Sequence, residues 1–327
     1  MNIDSVLVSP DIVLAPLAGY TDSPMRRIAR AMGAGLVWTE MVSAEGLVRD
    51  SSKSLDLLRF EPEERPIAAQ LFGARPEAFR GAARIVAGLA PDIIDINAGC
   101  PAKKVVKSGS GAALMRTPEL LAEIVEATVE GAGGIPVTVK LRSGWGDERS
   151  AVETALAAVR GGARAVAVHP RSRTQGFKGT ADWSVIAEVK RAVGTPVLGS
   201  GDVVRPEDAV RMRDETGADA VMIGRAAVGN PWLLRRAARA LSGEKPGREP
   251  DLGERLEIAI RHYRLMLEWK ADGRGVFEMR KHLVAYLKGF PGVADLRKRI
   301  VLVEDGDAVL SMLGEALERV TCVDGGL

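Results

Sequence analysis

Cys100 stands in the run NAGCPAKKVVKSGSG, and its neighbours decide what a thiol can do there. A cysteine of this kind serves as nucleophile, as acid or as inert packing, and a lone one is most often packing. Pro101, the lysines Lys103 and Lys104 and the Gly-Ser-Gly stretch predict instead a mobile, solvent-facing loop, where cysteine has little structural use. No histidine with an Asn or Asp partner is evident for a cysteine hydrolase, whereas a protonated thiol can act as a general acid. Lys140 ends the apolar run VTVK. It could be a Schiff-base nucleophile, a partner for a flavin N1–C2=O edge that turns negative on reduction, or a structural cation. Gln70 and Asn97 offer amide donors and acceptors suited to a flavin or a pyrimidine edge. In Ser200-Gly201-Asp202 and Gly224-Arg225 the glycines let backbone approach phosphate oxygens, and Arg225 adds a charged fork. Neither G-x-G-x-x-G nor G-x-x-x-x-G-K-[ST] occurs, so the expected cofactor is a mononucleotide. Histidines stand only at 169, 262 and 282 and C-x-x-C is absent, so no metal site is expected.

These residues share one position: each ends, or directly follows, a short apolar run. Eight such runs occur, at 12–15, 36–39, 67–71, 93–97, 137–141, 165–169, 197–200 and 220–223. They read as continuously apolar, as parallel strands covered on both faces should. Amphipathic stretches at 76–89, 118–130, 151–161 and 206–216 separate them, several opening with Pro in the first helical turn. Eight strand–helix units predict an α/β fold, a (β/α)8 TIM barrel, over an open doubly wound sheet. In such a barrel chemistry sits at the carboxyl ends of the strands. The residues there are Pro16, Leu17 and Ala18, Glu40, Gln70, Asn97, Lys140 with Arg142, His169 with Arg171, and the two glycine loops. Unpaired polar groups at buried strand ends cost on the order of 2 to 7 kcal/mol, so a set of them points to a bound ligand.

The 327 residues carry a formal charge of +2, so bulk electrostatics favour no partner. At 46% hydrophobic, with no apolar run of about 18 residues, the chain is not expected in a membrane, and Asp4 and Asp11 interrupt any signal peptide. A cytoplasmic enzyme is expected. Residues 243–250, GEKPGREP, read as a linker, and apolar positions fall at helical spacing beyond it. A small all-helical C-terminal domain follows from that pattern. Its charge is polarised: 261–299 holds ten basic and four acidic residues, net +6, while 300–327 holds one basic and six acidic, net −5. The first of these faces is a candidate nucleic-acid surface.

LAPLAGYTD, TEMVSAEGL, AAQLFG, DIIDINAGCPAKKVVKSGSGAALM, VTVKLRSGW, VHPRSRTQGFKGTADW, SGD and VMIGRAAVGNPW together resemble the successive motifs of the tRNA-dihydrouridine synthases, most closely the bacterial B-type branch. RKHLVAYLKGFPG carries the resemblance into the helical part. It implies a catalytic FMN-binding barrel over 1–243 and a helical tRNA-binding domain over 250–327. The implied reaction reduces the C5=C6 bond of particular uridines, with NADPH or NADH as electron donor, hydride passing from FMN N5 to C6 and a proton from Cys100 to C5. FMN would be held by Pro16, Leu17, Ala18, Gln70, Lys140, His169, Ser200, Gly201, Asp202, Gly224 and Arg225. Asn97, Lys103, Arg142 and Arg171 would face the base or its phosphate. No metal, membrane or second copy is required. Leu17, Pro170 and Ser200 depart from the commonest family wording, and none of them removes a reacting group. A flavin barrel acting on a small molecule would not need the basic helical region, and a non-enzymatic RNA-binding barrel would not need a flavin site.

Overall fold

The computed structural model describes residues 1–49 and 52–324. Strands β1 (Ile12–Leu14), β2 (Val37–Trp38), β3 (Ile67–Phe72), β4 (Ile93–Ala98), β5 (Val137–Arg142), β6 (Ala165–His169), β7 (Val197–Ser200) and β8 (Ala220–Ile223) run parallel around a barrel wall. The wall closes twice beside β1: Ile223 registers with Leu14, and a parallel bridge joins Val13 to Leu36. Helices α1 (Ser23–Ala31), α2 (Pro76–Ala87), α3 (Pro118–Gly131), α4 (Ala151–Arg160), α5 (Ser184–Ala192), α6 (Pro206–Thr216) and α7 (Trp232–Leu241) cover it, with two short helices, Ala44–Val48 and Ser52–Leu58, after β2. Proline opens α2, α3 and α6, where its missing N–H is one that the first turn leaves unpaired anyway.

The strands are not uniformly apolar, and this corrects the sequence reading. Outward residues such as Ile94, Ile96, Val137, Val139 and Leu141 pack against the helices. Inward residues Val13, Leu36, Trp38, Ala68, Ile93, Ala165, Ala167, Leu198 and Met222 fill the lower barrel. Ile3 and Val8 join that cluster from beneath. They belong to an N-terminal segment whose antiparallel ribbon, Asn2–Ile3 with Val6–Leu7, lay outside the eight predicted strands. Higher up, the inner face turns polar in layers. Gln70 registers with Asp95 and Asp95 with Thr138; above them Asn97 registers with Lys140, and above those Arg142 with His169. Side chains alternate faces along a strand, so IIDIN and VTVKLR already contain this switch.

Beyond a coil at 242–251, α8 (Leu252–Trp269), α9 (Arg274–Tyr286), α10 (Ala294–Ile300) and α11 (Gly306–Asp324) build a separate apolar cluster around Tyr263, Met266, Leu283 and Tyr286. Asp251 caps α8 in a reciprocal pair with Glu254, each side chain accepting the other's backbone N–H at 2.9 Å. No helix of the described residues is long and apolar enough to cross a membrane.

The helical region is held against the barrel mouth. Gly229 has φ +71, and a Cβ there would lie 2.4 Å from the carbonyl carbon of Ala285 in α9, so glycine permits a backbone contact that any side chain would break. Arg255 donates to the Gly229 carbonyl at 3.2 Å, the His282 ring stands edge-on to Tyr20 at 5.5 Å, and the Lys281 ammonium lies 5.0 Å above the Tyr20 ring. His262 and His282 are fully buried with ring centres 4.7 Å apart. His262 pairs with the Tyr286 hydroxyl at 3.1 Å, and among the described residues neither ring nitrogen of His282 has a partner. Burial, then the Lys281 charge, pulls His282 down to about 3.

The loop that follows β1 is tied down by a buried ion pair. Arg26 Nε donates to Glu64 Oε2 at 2.5 Å, and its other nitrogens donate to the Thr21 and Arg59 carbonyls at 2.6 and 2.9 Å. Ser23 Oγ and the Glu61 N–H satisfy the second carboxylate oxygen. Both charged side chains are almost wholly buried.

Two outcomes follow. Glu64→Ala leaves a buried guanidinium without its anion and should lower the unfolding free energy by about 3 to 5 kcal/mol in denaturant titration; a loss below about 1 kcal/mol would refute this account of the pair. His282 is held neutral in the fold, so its contribution to stability is complete above the unfolded value of about 6.5 and is lost as pH falls towards 3. The destabilisation caused by His282→Phe should therefore shrink below pH 6.5, by at most about 1.4 kcal/mol per pH unit. A pH-independent difference would contradict the assignment.

Candidate active site

A cavity of about 880 Å³ opens at the carboxyl ends of the strands. Pro16, Leu17, Ala18, Gln70, Asn97, Cys100, Lys140, Arg142, His169, Ser200, Gly201, Asp202, Gly224 and Arg225 all line it, so the structure gathers most of the residues singled out from strand ends.

One chain of hydrogen bonds crosses three strands. Thr138 Oγ1 donates to Asp95 Oδ1 at 2.5 Å, and Gln70 Nε2 donates to Asp95 Oδ2 at 2.7 Å. Asn97 Nδ2 then donates to Gln70 Oε1 at 2.9 Å, while Asn97 Oδ1 accepts the backbone N–H groups of Gly99 and Cys100 at 3.1 and 2.8 Å. The Cys100 backbone is held from the other side as well. Its carbonyl accepts the Ala112 N–H at 3.1 Å, and a Cβ on Gly111, whose φ is +61, would lie 2.7 Å from that carbonyl oxygen.

The segment after Cys100 is therefore not the open loop predicted. Lys103–Lys107 is a short helix, Gly111–Arg116 is a 3-10 helix, and Ser110 between them is buried. Glycines at 109 and 111 supply left-handed backbone for that fold rather than looseness.

Lys140 points into the cavity and makes no ion pair among the described residues. Burial and the neighbouring Arg142 charge pull its ammonium down to about 8, against the opposing attraction of Asp95. Asp95 itself is pushed up to about 6 by burial, with its two hydrogen bonds and the Lys140 charge working the other way. His169 is pulled down to about 2 by burial and then by the charges of Lys140, Arg142, Arg171 and Arg225. It is a neutral imidazole whose buried Nδ1 has no partner among the described residues.

The arginines divide into two kinds. Arg142 spends its donors on carbonyls, with Gly99 at 2.8 Å, Ser172 at 3.1 Å and Gly176 at 2.9 Å, so it staples the loop after β4 to the loop after β6. Arg171, predicted to face the base, does not reach the cavity. It donates to the Lys178 and Gly179 carbonyls at 3.1 and 2.6 Å and to Asp202 at 2.8 Å, and is 2% exposed. Lys103, also assigned to the substrate, is exposed on its short helix and outside the lining. Arg225 remains at the cavity wall, its guanidinium 4.2 Å from the centre of the Phe177 ring.

The two glycine loops differ in backbone, with positive φ after β7 and negative φ after β8. Gly201 has φ +110 and Asp202 φ +57, and the Gly201 carbonyl accepts the Trp183 indole N–H at 2.9 Å. Asp202 is occupied by Arg171 and the Ala181 N–H, so its carboxylate braces the loop. Gly224 has φ −109, and Arg225 opens a one-turn helix directly after it.

Sequence reasoning missed Tyr20, Met41, Phe177, Val204, Ala285 and Lys288, which also line the cavity. The last two come from α9 and its end. No local pattern announces them, because the Gly229–Ala285 contact that brings them there joins residues 56 positions apart. Asp95 was equally unassigned, although a carboxylate inside IIDIN is a visible signal. Among the described residues no group of three or more His, Cys, Asp or Glu could hold a metal ion.

A family profile described as Dihydrouridine synthase matches residues 13–321. A "Probable tRNA-dihydrouridine synthase" of Rickettsia conorii is 38% identical over 317 residues, covering 96% of this chain and 96% of the relative. A "tRNA-dihydrouridine synthase B" of Xanthomonas axonopodis pv. citri is 39% identical over 313 residues, covering 95% and 94%. Among solved structures, morphinone reductase superposes with a TM-score of 0.55 at 17% identity, over 77% of this chain and 90% of that one, a likeness of fold. On the family match and on identity spread over nearly the whole chain, this protein belongs to the dihydrouridine synthase family.

Proposed function

We propose that the chain reduces the C5=C6 bond of specific uridines in tRNA, with FMN as resident cofactor and NADPH or NADH as the source of electrons. The observation that carries this reading is the convergence on one cavity of an ammonium without an ion pair, a neutral imidazole with an unused buried nitrogen and a thiol. Those groups fit a flavin: Lys140 would sit against the edge that turns negative on reduction, and Gln70 and His169 would meet its polar rim. The backbones at Pro16, Leu17 and Ala18, together with the Ser200, Gly201, Asp202, Gly224 and Arg225 loops, would hold the ring and phosphate. When bound, FMN supplies the hydride that adds to uracil C6.

The protein's own part is to place and to protonate. Once C6 is reduced, negative charge on the uracil must be quenched by a proton at C5. Cys100 stands on a loop fixed by Asn97 and Gly111, where its thiol can deliver that proton. Asn97 would also meet the base. Arg142 would add charge from the wall while its hydrogen bonds keep the loops together. The arrangement of Arg171 and Lys103 supports a bracing role for the first and a rim contact with RNA for the second.

The base must leave its stack to enter, at a cost of a few kcal/mol. Phosphate contacts with basic residues offset it, and Lys288 brings such a residue from the helical region to the cavity edge. We infer the corresponding division of labour: residues 1–243 carry the flavin chemistry and 250–327, of which 325–327 lie outside the described residues, hold tRNA in the cytoplasm.

Two measurements test this. Cys100→Ala should keep flavin content and tRNA affinity while single-turnover formation of dihydrouridine falls about 100-fold or more; wild-type turnover would remove Cys100 from the mechanism. Simultaneous reversal of charge at Lys281, Lys288, Lys298 and Arg299 should weaken tRNA binding and flatten its salt dependence by roughly 0.7 to 0.9 per lost phosphate contact, with flavin content intact. Arg280 is left out because it donates to the Val303 carbonyl and stacks on Phe277. An unchanged salt slope would refute the RNA-binding face.

A further inference from the structure

Asp95 is 1% exposed, does not line the cavity and has no part in the chemistry above, yet it accepts from Gln70 on β3 and Thr138 on β5 and so ties three strands of the wall together. A carboxylate only accepts, so the Gln70 side chain must turn its NH2 towards Asp95. Its carbonyl is then left facing Asn97, whose NH2 donates to it. The Asn97 carbonyl in turn is left for the Gly99 and Cys100 N–H groups. The direction of every bond from the barrel interior to the cysteine loop is thus set by one anion. The same anion stands one layer below Lys140. The groups facing Lys140 are Asp95 on β4, Cys100 on the loop after it, Arg142 on β5 and His169 on β6, and Asp95 is the carboxylate among them. A buried ammonium beside a guanidinium needs such a neighbour to remain charged.

We propose that Asp95 is the positioning residue of this site: through Gln70 and Asn97 it fixes the loop that carries Cys100, and from one layer below it supplies the carboxylate that faces the Lys140 side chain. The catalytic consequence rests on the flavin reading. The electrostatic part does not, because Lys140 and Asp95 interact in the apoprotein as well.

Asp95→Asn is the test, since the amide keeps the shape, can still accept from Gln70 and can turn its NH2 to the Thr138 hydroxyl. In apoprotein labelled with 13C at lysine Cε, the Lys140 resonance is identified by its absence from Lys140→Met and followed against pH by NMR. Its midpoint should fall by about one pH unit in Asp95→Asn. An unmoved midpoint overturns the charge role whatever the enzyme's substrate proves to be. In holoenzyme with tRNA, the alkaline limb of kcat should move down with that midpoint, about a fivefold loss at pH 8, with the KM for tRNA within twofold of wild type. A lowered Lys140 midpoint with kcat unchanged at every pH would instead count against the flavin reading of Lys140. If Asp95→Asn does not fold, Thr138→Val serves: it strips one hydrogen bond but keeps the charge. It should leave the Lys140 midpoint in place and lower kcat several-fold by loosening Gln70 and Asn97, and wild-type kcat there overturns the positioning role.

Discussion

An ammonium at the end of a buried strand, with no carboxylate bonded to it among the described residues, is the constraint the site is built around. Lys140 shares the cavity region with the guanidinium groups of Arg142 and Arg225, and Arg171 lies just behind. So much positive charge in one desolvated place is costly. The protein meets that cost in three ways: it spreads Arg142 and Arg171 over loop carbonyls, keeps His169 neutral, and sets carboxylates among the cations, Asp95 behind the lining and Asp202 on Arg171. A surplus remains at the surface of the cavity. It is preorganised for a ligand that carries, or acquires, negative charge, where fixed charges act without further reorganisation.

The helical region enters the same economy through packing. Gly229 lets the backbone after β8 touch Ala285, and three residues on, just past the end of α9, Lys288 stands at the cavity edge. Tyr20 meets this helix from the barrel side, on the loop that Arg26 and Glu64 anchor. The helical region and the cavity mouth are therefore joined by direct contacts between neighbouring residues. Displacing α9 alters the mouth of the cavity, and loosening the loop after β1 disturbs the seat of α9.

Much of this was legible in the sequence, for a physical reason. Parallel strands in a barrel are short and apolar, and the chain must turn polar where each emerges, so the ends of the runs mark Gln70, Asn97, Lys140, His169 and the glycine loops directly. Contacts made by fold alone left no such mark. The N-terminal ribbon beneath the barrel is only two residues per strand, too short for any periodicity. Lys288 reads as one more basic residue of a helix, and only tertiary packing gives it a cavity to face. The glycine-rich stretch after Cys100 misled for the opposite reason: glycine signals both flexibility and left-handed backbone in a tight fold, and here the second applies.

Arginine shows most sharply where sequence loses its hold. Arg142, Arg171 and Arg225 all follow strand ends, and by position each is equally entitled to meet a ligand. What separates them is the supply of carbonyl oxygens within reach. A planar fork with five donors becomes a structural staple when a folded loop offers it several acceptors, as the 172–179 loop does for Arg142 and Arg171. Arg225 lies against the face of the Phe177 ring, which satisfies none of its N–H groups. The guanidinium with the fewest internal acceptors is the one left with donors to offer at the cavity wall, and among the described residues that is Arg225.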